Sequence, residues 1–126
     1  MMPPPSALTI AARSVQRLVK EESLYHKEQA SQEKRITKLK EDIDAGGEDL
    51  DTNAEYILRQ EQTALAETKN VFEPLRQRIA DAVQKLEEQI AISESEGSAT
   101  DGELKEAQEA LAAGQKVTEK DDGEEL

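Results

Sequence analysis

The sequence predicts an all-α fold, an elongated antiparallel three-helix bundle with spectrin-like, coiled-coil packing. Aromatic residues make up only 2% of the 126 residues and charged residues 35%, so the chain lacks the material for a thick globular core. Its apolar residues instead recur in steps of three and four, which places them on one side of a helix. Residues that break helices fall at a few points only, and these points separate the predicted helices.

The first helix is predicted over about residues 7–43. The triple proline before it blocks a helix, so residues 1–6 are predicted to be disordered, with Ser6 as the N-cap. The "AGG" at residues 45–47 ends the helix, because glycine readily adopts the left-handed conformation of a helix end. One stripe of this helix follows heptad steps and is apolar at its ends and polar in its middle, so neighbouring helices must cover its apolar ends. Its members are Val15, Leu18, Glu22, Tyr25, Gln29, Gln32, Ile36, Leu39 and Ile43.

A second helix is predicted over about residues 52–70. Thr52 and Glu55 have the spacing of a capping box, in which each side chain accepts a hydrogen bond from the other residue's backbone N–H. Pro74 lacks an N–H, and its ring clashes with the preceding helical turn. The sequence therefore predicts a tight turn over residues 70–74.

The third helix is predicted over about residues 74–93 and completes a bundle of residues 7–93. The alternative is one long helix kinked at Pro74. Two antiparallel helices bury both apolar stripes, so the turn is preferred. The predicted core contains residues from all three helices: Leu18, Ile36, Leu39, Ile57, Leu58, Leu65, Ile79, Val83 and Leu86.

Residues 94–126 follow the predicted bundle. They begin with an acidic linker and include a short fourth helix over about residues 101–113, which Thr100 and Glu103 start as a capping box and Gly114 ends. The acidic remainder is predicted to be a disordered tail.

Composition and charge narrow the classes of function. The net charge is −12, so most of the chain repels nucleic acid, but residues 1–40 hold eight basic and four acidic residues and suit an acidic protein partner. No apolar stretch approaches the roughly 20 residues of a membrane span. With no cysteine and His26 as the one histidine, no enzyme, metal site or cofactor is expected.

Three stretches, in order, resemble a known family. They are "RLVKEESLYHKEQASQEKRITKLKED" at residues 17–42, "AEYILRQ" at residues 54–60 and "EPLRQRIADAVQKLEE" at residues 73–88. Over about residues 8–92 the chain is similar to the tubulin-binding cofactor A family, also called tubulin-specific chaperone A. Family members continue the third helix where this chain has "SESEGSATDG", so the resemblance leaves open whether residues 101–113 pack on the bundle.

The resemblance implies a function as well as a fold. It implies a protein of the cytoplasm and cytoskeleton that binds β-tubulin after chaperonin release, holds it, and passes it on for assembly of the α/β-tubulin heterodimer. Other tubulin-folding cofactors are then further partners, and no nucleotide or metal is needed. The alternative is a generic coiled-coil homodimer with a structural or scaffold role, although the breaks at Gly46–Gly47 and Pro74 argue against an extended parallel zipper.

The first helix supplies the candidate contact residues, because it is the only net-basic third of the chain and the resemblance implies an acidic partner. In a competing interpretation these side chains only form weak pairs with nearby glutamates, worth roughly 0.3–0.5 kcal/mol each. The candidates are Arg17, Lys20, Tyr25, Lys27, Lys34, Arg35 and Lys38.

Overall fold

The protein is a bundle of α-helices, which confirms the predicted fold class. The structure, a computed structural model, describes residues 4–47, 50 and 52–124, with side chains described through residue 119. This part of the chain forms three helices: α1 is Ala7–Ala45, α2 is Ala54–Glu96 and α3 is Asp101–Glu124. Within it, no helix is long and apolar enough to cross a membrane.

Helix α1 begins and ends close to its predicted positions. The Ser6 carbonyl accepts a hydrogen bond from the Ile10 N–H, and the Ser6 hydroxyl accepts one from the Thr9 N–H at 3.2 Å. Ser6 is therefore the N-cap, as predicted. Gly46 ends the helix with a φ of 48°, a conformation that only glycine adopts without strain. Of the predicted disordered segment 1–6, residues 1–3 lie outside the described part.

Helix α2 is one continuous helix, so the predicted turn over residues 70–74 is wrong. Pro74 lies inside this helix, where proline costs about 3 kcal/mol. Phe72 before it and Leu75 after it are buried, at 7% and 2% exposure. Burial of each such side chain stabilises by about 1.5–3 kcal/mol, which offsets the cost of the proline. The separate helices predicted over 52–70 and 74–93 are the two halves of α2.

The ends of α2 also differ slightly from the prediction. The helix starts at Ala54, and the Asn53 carbonyl accepts the first helical hydrogen bond, from Ile57. Asn53 is therefore the N-cap, and the predicted capping box of Thr52 with Glu55 is wrong by one residue. At the other end Gly97 has a φ of 64°, and the Ser98 N–H bonds to the Ser93 carbonyl at 3.2 Å. This is a Schellman motif, and it shortens the predicted acidic linker to residues 97–100.

Helix α3 is longer than the predicted short helix over 101–113. Its predicted capping box is confirmed: the Glu103 N–H bonds to Thr100 Oγ1 at 3.1 Å, and the Thr100 N–H bonds to Glu103 Oε1 at 3.3 Å. The helix then continues through Gly114, because this glycine is buried and its small size allows close packing. Residues 114–124 are therefore helical rather than a disordered tail, and residues 125–126 of the predicted tail lie outside the described part.

The chain forms two compact units. The three-helix unit, Met1–Glu22 with Pro74–Leu126, contains the start of α1, the end of α2 and all of α3. Its core confirms the predicted Leu18, Ile79, Val83 and Leu86 and adds eight buried apolar residues: Leu8, Ala11, Ala12, Val15, Leu75, Ile90, Ala107 and Ala110.

The two-helix unit, Ser23–Glu73, pairs the second half of α1 with the first half of α2. Ile36 is buried as predicted, whereas Leu39, Leu58 and Leu65 are only half-buried. Ile57 is 39% exposed, so its predicted place in the core is wrong. Two helices cover a narrower stripe of each other than three helices do, which leaves such flanking apolar residues in contact with water.

Candidate docking surface on α1

The predicted basic residues lie on the exposed side of α1. In the three-helix unit, Arg17 and Lys20 are exposed. In the two-helix unit, the four predicted basic residues Lys27, Lys34, Arg35 and Lys38 are exposed as well. Each long side chain can therefore present its charge to water or to a partner.

Arg35 differs from the predicted lysines in that it forms ion pairs within the protein. The Arg35 guanidinium lies 3.3 Å from Glu61 and 3.9 Å from Glu28, and it donates a 2.8 Å hydrogen bond to the Ser31 hydroxyl. Arg35 thus joins α1 to α2, as the competing interpretation of the basic residues expected. Ion pairs between described side chains include neither Arg17 nor any of the four predicted lysines.

Tyr25, the one aromatic candidate, packs inside the two-helix unit. Its ring meets the Phe72 ring edge-on, at 6.4 Å between centroids and 78° between planes. The His26 ring stacks on the same Phe72 at 4.5 Å and 26°, although His26 itself is exposed. Such aromatic pairs contribute about 0.5–1.5 kcal/mol beyond their burial. The geometry gives Tyr25 a clear structural role in pairing α1 with α2.

A groove lies beside the lysines in the two-helix unit. It is open, has a volume of about 550 Å³, and is lined by Ala30, Glu33, Lys34, Thr37, Lys38 and Glu41. Ala30 and Thr37 are small and seven residues apart, which leaves room between the longer side chains. The charge pattern of the sequence does not identify Ala30 and Thr37, because both are uncharged. The sequence feature that could have identified them is their spacing of seven residues, which equals the spacing of Lys27 and Lys34.

The chemistry of this surface is electrostatic and steric. Among the described residues, no group of three or more histidine, cysteine, aspartate or glutamate side chains could hold a metal ion. A lysine side chain is a compact donor on a flexible stem, which suits contacts to carboxylates on a partner surface. The arrangement supports binding of an acidic macromolecule.

The fold defines a class, an all-α helical bundle, and this bundle carries exposed basic side chains on α1. A family model described as "Tubulin binding cofactor A" matches residues 3–111, and the chain belongs to this family. Among curated proteins, Tubulin-specific chaperone A of Saccharomyces cerevisiae is 32% identical over 84 residues, which cover 67% of this chain and 72% of the relative. No solved structure matches the chain.

Proposed function

We propose that this protein binds β-tubulin after its release from the chaperonin, holds it, and passes it on for assembly of the α/β-tubulin heterodimer. The family match over residues 3–111 carries the proposal. The name of the yeast relative, a tubulin-specific chaperone, supports the same role. The proposed setting is the cytoplasm, where other tubulin-folding cofactors receive the bound β-tubulin.

The exposed basic side chains of α1 are the proposed contacts. Lys27, Lys34 and Lys38 form no ion pair with a described side chain, so an acidic partner does not have to break internal pairs to reach them. Charge complementarity of this kind raises association rates and selects partners. Arg17 and Lys20 extend the same charge along α1. Arg35 and Tyr25 contribute less, because both already have partners within the two-helix unit.

Binding to isolated tubulin subunits tests the proposal. The purified chain, immobilised at low density, is exposed to folded α-tubulin and to β-tubulin released from the chaperonin. We expect retention of β-tubulin and little retention of α-tubulin. Equal retention of both subunits, or of neither, would contradict the proposed specificity.

A second step tests the proposed hand-off. The complex of this chain with β-tubulin is mixed with the remaining tubulin-folding cofactors and α-tubulin, and the bound β-tubulin is followed with time. We expect β-tubulin to leave the chain and appear in heterodimers. If it stays bound while heterodimers form from other material, the chain sequesters tubulin and does not pass it on.

A further inference from the structure

Helix α1 carries a second heptad series, separate from the stripe that packs against α2. From Arg13 to Lys34 every seventh residue is basic, and the residues between them in the series are uncharged; the next step of seven reaches Glu41. We call this series the outer stripe. Its members, in alternating steps of three and four, are Ser6, Thr9, Arg13, Gln16, Lys20, Ser23, Lys27, Ala30, Lys34 and Thr37.

In the three-helix unit the beginning of the outer stripe contacts an acidic helix. The Ser6 hydroxyl donates a 2.7 Å hydrogen bond to Glu103 of α3, and the Thr9 hydroxyl lies 3.4 Å from the same carboxylate oxygen. Arg13 pairs with Glu106 at 3.9 Å. The outer stripe therefore binds carboxylates spaced one helical turn apart on a neighbouring helix.

Small residues allow α3 to come close. Ala107, Ala110 and Gly114 are buried on one side of α3. A Cβ placed on Gly114 would lie 2.8 Å from Val15 Cγ1 of α1, which shows how near the two helices approach. Helix α3 thus packs its small residues close to Val15 of α1 and places Glu103 and Glu106 against the outer stripe.

In the two-helix unit no helix that the structure describes covers the same series. Ser23, Lys27, Ala30, Lys34 and Thr37 are all exposed. The last three lie along the open groove of about 550 Å³. Of the two carboxylates in that groove, Glu33 accepts a 3.0 Å hydrogen bond from the Gln29 amide, and Glu41 occupies the next position of the series after Thr37. From Ser23 to Thr37 the stripe offers two lysines and no acidic residue.

We propose that the outer stripe of the two-helix unit binds an acidic amphipathic helix of the partner, as its beginning binds α3 in the three-helix unit. The complementary charge of Lys27 and Lys34 selects carboxylates on the incoming helix, and the small Ala30 and Thr37 allow that helix to approach closely. The inference deepens the proposed function and rests on it for the identity of the partner, β-tubulin. It names the kind of surface on β-tubulin that the chain contacts.

Added bulk at the small positions tests this inference. In Ala30→Gln with Thr37→Gln, both substitutions are at exposed helical positions, and glutamine is a good helix former, so the fold is kept. A matched control, Ala66→Gln with Thr63→Gln, makes the same two changes at exposed positions of α2 in the same unit. We expect the α1 variant to bind β-tubulin about tenfold more weakly than the wild type, and the control to bind like the wild type.

The outcomes separate this inference from the proposed function. If the wild type and both variants bind β-tubulin equally, or both variants lose binding equally, the outer stripe is not the docking site, and the proposed function stands. If the wild type does not bind β-tubulin, the proposed function fails and this inference fails with it. Sedimentation of the chain alone provides the remaining check, since a dimer that only the α1 variant dissociates would assign the stripe to a second copy and overturn the inference.

Discussion

The Ser6 hydroxyl, which caps α1, donates a 2.7 Å hydrogen bond to Glu103, which completes the cap of α3. One carboxylate therefore joins the beginnings of two helices that are far apart in sequence. Glu103 accepts hydrogen bonds from Thr100 on its own helix and from Ser6 and Thr9 on α1. The start of α3 is held to the start of α1 by a group that must be ionised to accept all of these bonds.

This arrangement predicts a dependence of stability on pH. The Ser6 hydrogen bond, followed by the bonds from Thr100 and Thr9, lowers the pKa of Glu103 below its ordinary value. A carboxyl group with a lowered pKa in the folded protein stabilises the fold above its ordinary pKa and loses this contribution as the pH falls through the folded value. We therefore expect Glu103→Gln to remove part of the loss of stability that occurs as the pH falls below the ordinary pKa of glutamate.

Urea unfolding at a series of pH values measures this effect. The Ser6→Ala variant should behave like a partial version of Glu103→Gln, because it removes the largest cause of the pKa shift. Glu109→Gln is the control, since it neutralises an exposed carboxylate on the same helix. Identical pH profiles for Glu103→Gln and Glu109→Gln would show that the bonds between the two caps contribute nothing to stability.

Gly114 is predicted to be required for the packing of α3. A Cβ at this position would lie 2.5 Å from Val83 Cγ2 and 2.8 Å from Val15 Cγ1, closer than real contacts allow. Overpacking costs about 1–3 kcal/mol, whereas replacing a mid-helix glycine by alanine gains about 1 kcal/mol from helix propensity. We expect Gly114→Ala to lower the free energy of unfolding, as measured by chemical denaturation.

Gly102 offers the matched control for that prediction. It also lies in α3, but a Cβ there meets only Thr100 Oγ1, at 3.9 Å. Gly102→Ala should therefore raise the free energy of unfolding by up to about 1 kcal/mol. In a further variant, Gly114→Ala with Val83→Ala, the total loss should be smaller than the sum of the two single losses, because Val83→Ala removes the nearer clash. Equal stabilisation by both glycine substitutions would mean that α3 does not approach α1 and α2 as described.

Local rules predicted three of the helix ends correctly. Ser6, Gly46 and the pair Thr100 and Glu103 all act where the sequence placed them, because a cap depends on a few neighbouring residues and on backbone geometry. The heptad stripe of α1 was also predicted correctly, since all nine of its members are buried or half-buried. These features are encoded within a few helical turns.

The errors arose where tertiary packing overrode a local rule. Pro74 and Gly114 both disfavour a helix, yet each lies inside one, because the residues around it are buried by other helices. Spacing alone places Ile57 in the core, but its exposure depends on how many helices cover that part of α2. Among the candidate contacts, the partners of Arg35 and Tyr25 lie on α2, so spacing along α1 had no means of revealing them.

Gln32 is a buried polar residue whose replacement should stabilise the protein. It is 4% exposed in the two-helix unit, and its Oε1 atom accepts no hydrogen bond from any atom that the structure describes. A buried acceptor without a partner costs about 1–3 kcal/mol. Gln32→Leu should raise the free energy of unfolding by about 1 kcal/mol or more, as measured by chemical denaturation.

The comparison for Gln32 is an exposed glutamine of the same unit. Gln62→Leu makes the same chemical change on the surface of α2 and should alter stability by less than about 0.5 kcal/mol.

The coiled-coil register gives a second readout of the Gln32 substitution. A polar residue in a coiled-coil seam fixes the register, so Gln32→Leu should also broaden the amide spectrum of the two-helix unit if alternative registers become populated. A destabilised Gln32→Leu variant would show that the side chain makes a favourable bond in solution.

The central claim is that the exposed basic side chains of α1 bind an acidic surface of β-tubulin. Association kinetics at several salt concentrations test this claim most directly. The variant Lys20→Glu with Lys27→Glu is compared with Lys69→Glu with Lys85→Glu, which reverses two exposed lysines on α2. We predict that the α1 variant keeps its helicity, associates about tenfold more slowly at low salt, and loses most of the salt dependence, while the α2 variant changes little. An affinity and a salt dependence of the α1 variant equal to those of the wild type would contradict the claim.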